Sequence, residues 1–373
     1  MIKIYSDTKI YIHCPAGVVT GGVELLHQLA HNLRENGLNA YIVYYGREKH
    51  DIPADYMKYN ISFCEEIEDS ERNVEVFNES IFDRLLKGSK TQKFLWWLSV
   101  DHFYLNTAKH LNLLDFAKYD IKKAMKEAVK RCGRLIIKGE SPFRGNISLK
   151  FLKSLEAVHG YQSEYCQNFL QNHEFNEIVS LKDYINTDYL DNFSTKGKED
   201  IVLYNPKKGI KFTKKIMAAS ADLRWTPICN MSRKQVVEVM RKAKLYVDFG
   251  YHPGKDRLPR ECAASGCCII TGRRGAANFF EDVAVPNRYK FDERHASIGE
   301  IVNVIKDTLQ NYDNRVNDFM YYRNCIAYEK EEFENQVKRI FHLMGGVKCL
   351  DIFIRVRHTA STSVKSDFKL VAA

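Results

Sequence analysis

The chain has 373 residues, 45% of them hydrophobic, ten cysteines and a formal net charge of +9. That length exceeds what one core usually supports, so two domains are expected, and the excess of cations favours anionic partners: nucleotides, an anionic membrane face or nucleic acid. No run approaches the ~18 apolar residues of a membrane span, residues 1–7 lack the apolar core of a signal peptide, and no Cys-x-x-Cys occurs, which together exclude a spanning protein and a zinc ribbon and point to a cytoplasmic address.

In chain order, residues 10–13 form a short β-rich run, residues 17–22 a glycine-bearing loop, and residues 23–35 a helix with Leu25, Leu26, Leu29 and Leu33 on one face, ended by Gly37. Residues 40–45 resume as a strand. The result is one βαβ unit whose loop lies at the carboxyl end of its first strand, where open α/β sheets bind ligands. Residues 93–100 read as an apolar strand delivering Asp101, His102, Phe103 and Tyr104 into a loop, and residues 134–139 and 157–165 as further strand-to-loop-to-helix steps. The polar, aperiodic residues 194–200 mark an interdomain linker.

A second α/β series follows: strand 201–204, basic loop 205–209, helix 211–220, strand 223–226, a helix from Ser232 as N-cap to Lys242, and strand 245–248. Residues 249–271 then read as a basic glycine-bearing loop, a short helix opening at Pro259 and a second buried strand, an arrangement that presents an anionic group to a helix N-terminus. Residues 298–311 and 313–343 are helical. Residues 345–373 have no helical period, and 350–356 are an edge-strand candidate. The expected division is a first Rossmann-like domain over 1–193, a second over 194–345, and a tail of unassigned role over 346–373.

Two stretches carry chemistry: Thr20-Gly21-Gly22-Val23-Glu24 after the first strand, and Leu258-Pro259-Arg260-Glu261-Cys262-Ala263-Ala264-Ser265-Gly266 in the second half. With them the chain resembles the GT-B glycosyltransferases, particularly the retaining group that includes bacterial polysaccharide and lipopolysaccharide transferases. The resemblance spans residues 1–345 in architecture and is close at the two glycine loops and at residues 245–280. It implies an α/β fold of two Rossmann-like domains facing across a cleft, with a helical C-terminal segment. The first domain would bind a glycan or lipid-linked acceptor and the second a nucleotide-diphosphate sugar, UDP-sugar favoured, with no further cofactor.

The resemblance places Gly21 and Gly22 against the donor diphosphate. Glu261, at the start of a helix set by a proline, would accept the ribose hydroxyls. The family's upstream glutamate falls on Pro253 or Gly254 here, so Asp256 is the substitute carboxylate, and the Gly254 and Lys255 amides are phosphate donors. Lys207, Lys208, Lys255, Arg257, Arg273 and Arg274 are the cations available to a departing diphosphate, with Lys208 and Arg257 nearest in placement to the family's basic pair. Asp101 and His102 occupy the position of a family histidine that meets the sugar or the acceptor.

His27 and His31 share a helix face at i, i+4 but lack a third zinc ligand, so packing is the expectation. No Asp-x-Asp occurs, which predicts catalysis without a metal site. The context implied is bacterial surface polysaccharide, capsule or lipopolysaccharide synthesis, with basic patches docking peripherally on the inner leaflet. Alternatives are a catalytically inactive GT-B binding subunit and a nucleotide-sugar epimerase. A dehydrogenase is disfavoured because residues 17–22 miss the dinucleotide fingerprint, and nucleic-acid binding lacks any recognisable module.

Overall fold

The central strands are buried on both faces, which is why they read as continuous apolar runs rather than alternating ones. The structure is a computed structural model that describes residues 1–46, 52–139, 147–191 and 193–342; the edge-strand candidate at 350–356 lies outside the described residues. One parallel sheet contains β1 (Lys9–Pro15), β2 (Asn39–Tyr45), β3 (Ser62–Phe63), β4 (Val74–Asn78), β5 (Gln92–Trp97), β6 (Ala157–Tyr161) and β7 (Ile178–Ser180), in the order β3-β2-β1-β4-β5-β6-β7. Around it lie α1 (Gly21–Glu35), α2 (Val100–Asn106), α3 (Leu113–Tyr119), α4 (Ile121–Lys138), α5 (Leu149–Ser154) and α6 (Glu164–Asn172).

The second parallel sheet contains β8 (Glu199–Tyr204), β9 (Arg224–Pro227), β10 (Ala243–Asp248), β11 (Cys268–Gly272) and β12 (Lys290–Phe291), in the order β12-β11-β10-β8-β9. Its helices are α7 (Ile210–Ala218), α8 (Arg233–Lys242), α9 (Arg257–Ala264), α10 (Ile298–Gln310), α11 (Tyr312–Arg315) and α12 (Met320–Ile340). The capping box of Ser232 and Gln235 starts α8 at the expected residue.

Strand order reverses between β1 and β4 in the first sheet and between β8 and β10 in the second. Such switch points leave a crevice at the strands' carboxyl ends. The chain crosses between lobes after β7: Leu181 and Tyr184 join the first core, whereas Ile185 and Tyr189 join the second. Helix α12 crosses back, with Tyr322 and Ile326 in the second core and Phe333, Val337 and Ile340 in the first. Residues expected in the helical end of the second domain therefore help to build the first core.

Two local expectations are corrected. Residues 134–138 are not a strand but the last turn of α4, N-capped by Asp120 and ended by Gly139 in the left-handed region at φ 62°. The apolar triplet Leu135-Ile136-Ile137 imitated a buried strand, yet Ile136 and Ile137 are each 82% exposed. Asp101 to Tyr104 are not a loop, because Ser99 accepts from the His102 amide and starts α2 there.

Gly209 holds the loop after β8. Its φ is +63°, and a Cβ there would lie 2.3 Å from the Phe249 carbonyl oxygen at the end of β10. Gly209→Ala combines backbone strain with a backbone clash, so urea unfolding is expected to show a loss of about 2–4 kcal/mol. An unchanged midpoint would contradict this packing.

Candidate active site

Both switch points open onto one cavity of about 750 Å3 between the lobes. The first lobe lines it with Pro15, Thr20, Gly21 and Gly22 after β1, with Asn78 and Glu79 after β4, and with Ser99 and His102 on α2. The second contributes Asn205 and Lys208 after β8 and Pro253 to Leu258 after β10. Thr20 caps α1, so the amides of its first turn face the cavity, and Asp256 to Leu258 form the N-terminus of α9 opposite. Two helix N-termini and a lysine around one space suit an anion.

The lobes touch closely here. A Cβ on Gly254 would lie 2.2 Å from the Leu98 carbonyl oxygen of the first lobe, so only glycine fits this approach. The Lys255 amide donates to Gln162 at 3.2 Å, which engages it away from the phosphate role expected of it.

Lys208 Nζ lies 2.6 Å from Asp256 Oδ2. Behind that pair His252 is wholly buried, with Nδ1 3.7 Å from Asp256 and Nε2 3.7 Å from Asp248. Burial opposes the His252 charge, but the two carboxylates win and raise its pKa. Asp248 accepts from the Tyr246 hydroxyl and the Gly250 amide, each at 2.7 Å. Asp248, His252 and Asp256 are the one group of metal-capable side chains among the described residues, and the Lys208 ammonium already neutralises its cavity-facing member.

A second ionic network seals the floor between the lobes. Arg257 on α9 donates to Glu24 on α1, and also to Gln28 and to the Tyr184 carbonyl, each at 3.4 Å. Arg260, with no exposure, reaches Asp183 at 2.7 Å and Glu329 of α12 at 2.8 Å. Glu329 also takes Lys255 at 2.7 Å. Burial disfavours the Glu24 charge, but Arg257, Tyr59, Arg233 and Lys58 overcome it and lower its pKa to about 2.

Across the cavity, the Glu79 carboxyl accepts from the Leu98 amide at 3.0 Å, and burial pushes its pKa up to about 7. His102 Nδ1 lies 3.9 Å from Glu79. Burial and then Lys208 lower the His102 pKa, favouring a neutral ring. A carboxyl raised to about 7 beside an imidazole held towards its neutral form, on one wall, is suited to moving a proton.

The structure gathers Gly21, Gly22, His102, Lys208, Gly254, Lys255, Asp256 and Arg257 around this cavity. Asp101 is buried behind it, accepting from the Tyr119 hydroxyl and so joining α2 to α3. Lys207 is exposed outside it, and Arg274 is turned to Glu293 at 2.9 Å and the Phe249 carbonyl at 2.7 Å. Glu261 is the fifth residue of α9 rather than its opener, since Asp256 is the N-cap. It lies outside the cavity lining at the seam, where burial raises its pKa against the fields of Arg257 and Arg260.

Sequence reasoning missed Glu79, Gln162 and Asp183, which sit in no motif, and gave no role to Glu24, the last residue of the first glycine motif; the strand ending at Asn78 was the available signal for Glu79. His27 is a packing residue, its ring nitrogens on the Val23 carbonyl and the Tyr44 hydroxyl.

No protein-family model and no curated protein matches the chain. Among solved structures, a sucrose-phosphate synthase from Thermosynechococcus elongatus aligns at TM-score 0.57 and 12% identity over 90% of this chain and 98% of its own. Anabaena HepE, solved with UDP-glucose, aligns at 0.51 and 10% over 89% and 98%. WaaG, a glycosyltransferase involved in lipopolysaccharide biosynthesis, aligns at 0.50 and 11% over 91% and 100%.

The chain has the GT-B fold. Identities this low carry the fold alone, so chemistry rests on the cavity itself.

Within this GT-B seam, Glu24→Gln is expected to lower stability at pH 7 by about 3 kcal/mol, since the folded protein holds the carboxyl near 2 against 4.5. The depressed pKa means that this stabilisation is complete above about pH 4.5 and is lost as pH falls towards 2. Urea titrations of both proteins across that range should converge at the acid end. A constant difference would contradict the pairing.

Proposed function

We propose that this GT-B chain transfers a sugar from a nucleotide-diphosphate donor, UDP-sugar favoured, to a glycan or lipid-linked acceptor. The observation that carries the reading is the cavity lined by two helix N-termini, with Lys208 facing the Glu79 and His102 wall. The solved relatives support it: HepE was solved with UDP-glucose, and WaaG acts in lipopolysaccharide biosynthesis. On this reading bacterial surface-polysaccharide assembly is the context.

Departure of a nucleoside diphosphate concentrates negative charge on the bridging oxygen. The α1 and α9 N-termini and Lys208 would stabilise that charge, strengthening as it develops, so no metal is required. Asp256 holds Lys208 in place. On this reading the leaving phosphate takes the acceptor proton on the same face, giving retention.

A second stereochemical course is favoured by one observation. Glu79, with a pKa of about 7, and His102 form a proton acceptor in the wall opposite the donor cations, as direct displacement with inversion would need.

Thermal-shift screening with UDP, GDP, TDP and CMP is expected to raise the midpoint most with UDP. Donor hydrolysis across a panel of nucleotide sugars then separates a transferase from a binding subunit, which would show a shift without turnover. Activity should survive excess chelator; loss restored only by Mg or Mn would overturn metal-independent transfer. Lys208→Ala is expected to lower kcat by about 10²–10³.

Glu79→Gln decides the stereochemical course. A fall in kcat of about 10²–10⁴, with loss of a pH-rate limb near 7 and an inverted anomeric centre by NMR, supports inversion. An unaffected pH profile and a retained centre support retention.

A further inference from the structure

Helix α8 and the segment 188–197 that follows the crossover form a second cavity, of about 860 Å3, which has no lining residue in common with the cavity between the lobes. Arg233, Val237 and Arg241 succeed one another at i, i+4 and i+8 along one ridge of α8, and Lys234, Glu238 and Lys242 along the next. Lys196 lines the groove from the facing segment. Arg233 and Arg241 are about 12 Å apart along the helix axis. Five cations therefore meet two carboxylates, Asp188 and Glu238, a surplus of three positive charges in one groove.

The carboxylates do not balance the cations. Glu238 is taken by Lys242 at 2.8 Å, and Arg233 lies 3.6 Å from Glu24 at the lobe seam, with Asp188 also in its field. Lys196, Lys234 and Arg241 form no ion pair among the described residues. Like charges gathered on the walls of one groove repel one another, and an anion between them removes that repulsion. The guanidinium of Arg241 adds a planar fork that matches phosphate oxygens.

We propose that this groove binds a small anion bearing two or more phosphate groups, held by Lys196, Lys234 and Arg241. Its lining contains no aromatic ring and one apolar side chain, Val237, so a nucleoside base has nothing to stack on and recognition rests on phosphate charge. The volume is that of a small-ligand site, which selects a compact oligophosphate compound over a polymer. Because Arg233 serves both the groove and Glu24, the site abuts the contact between the lobes. The inference stands apart from the transferase reading, because it uses no residue of the cavity between the lobes and its test needs no turnover.

Inorganic tripolyphosphate should be titrated by calorimetry into the full chain and into the full chain carrying Lys208→Ala, which removes the lysine of the other cavity. It is expected to bind both, and to bind less tightly as salt rises. Adding Lys234→Gln and Arg241→Gln, both exposed, to the Lys208→Ala chain should lose at least ~10-fold of that affinity with unchanged circular dichroism. Adding Lys122→Gln and Lys126→Gln instead, on the exposed side of α4, should lose none of it. Absence of binding by the Lys208→Ala chain, or an equal loss from the two pairs, would overturn the proposal. So would polyglutamate binding more tightly than tripolyphosphate at equal charge, which would mark the groove as a contact for an acidic protein.

Discussion

Arg260 is sealed from water, and the cost of burying its guanidinium is met only because Asp183 from the crossover, Glu329 from α12 and the Lys255 carbonyl converge on it. Removing one partner of such a set leaves a buried charge uncompensated, which is far more costly than the pair is stabilising. Arg257, three residues earlier on the same helix, carries the network into the first lobe through Glu24. The separation of the two sheets, the position of α9 and the shape of the cavity between them all depend on this arrangement. It also explains why a basic loop that reads as a phosphate binder is largely occupied by carboxylates: its cations Lys255 and Arg257 hold the lobes, while Lys208, on the loop after β8, is presented to the cavity beside Asp256.

The cavity's chemistry follows from topology more than from any motif. Each sheet reverses strand order next to its first strand, so each leaves a crevice at its carboxyl edge, and the lobes face each other with those crevices aligned. The second lobe's wall brings positive potential from the α9 N-terminus and Lys208. The other brings Glu79, whose carboxyl burial raises to about 7, and His102, whose ring burial favours in the neutral form. Opposed walls of this kind can stabilise a departing anion on one side and accept a proton on the other.

Legibility in the sequence varied with the kind of signal. The βαβ start, the Ser232 cap and the strand–loop–helix–strand at 245–271 were readable because apolar period, capping chemistry and glycine placement agree locally. Residues 134–138 misled because an aliphatic triplet is the same string whether it fills a core or faces outward; only the Gly139 terminus and the lysine spacing belonged to a helix. Asp101 and His102 both read as loop residues near the sugar or acceptor, but on α2 successive residues point about 100° apart, which turned one to the cavity and the other to Tyr119.

Taken alone, the sequence determined two α/β lobes, their glycine loops and the cations after β8 and β10, because these depend on neighbours within a few residues. Tertiary structure alone decided which charges are free and which are spent. Glu261 read as a ribose ligand and lies at the seam, Arg257 read as a phosphate clamp and binds Glu24, and Glu79, in no motif, gained a proton affinity near neutrality. A side chain's charge is set by burial and by partners up to 233 positions away, as between Glu24 and Arg257, and that distance is not written in any local pattern.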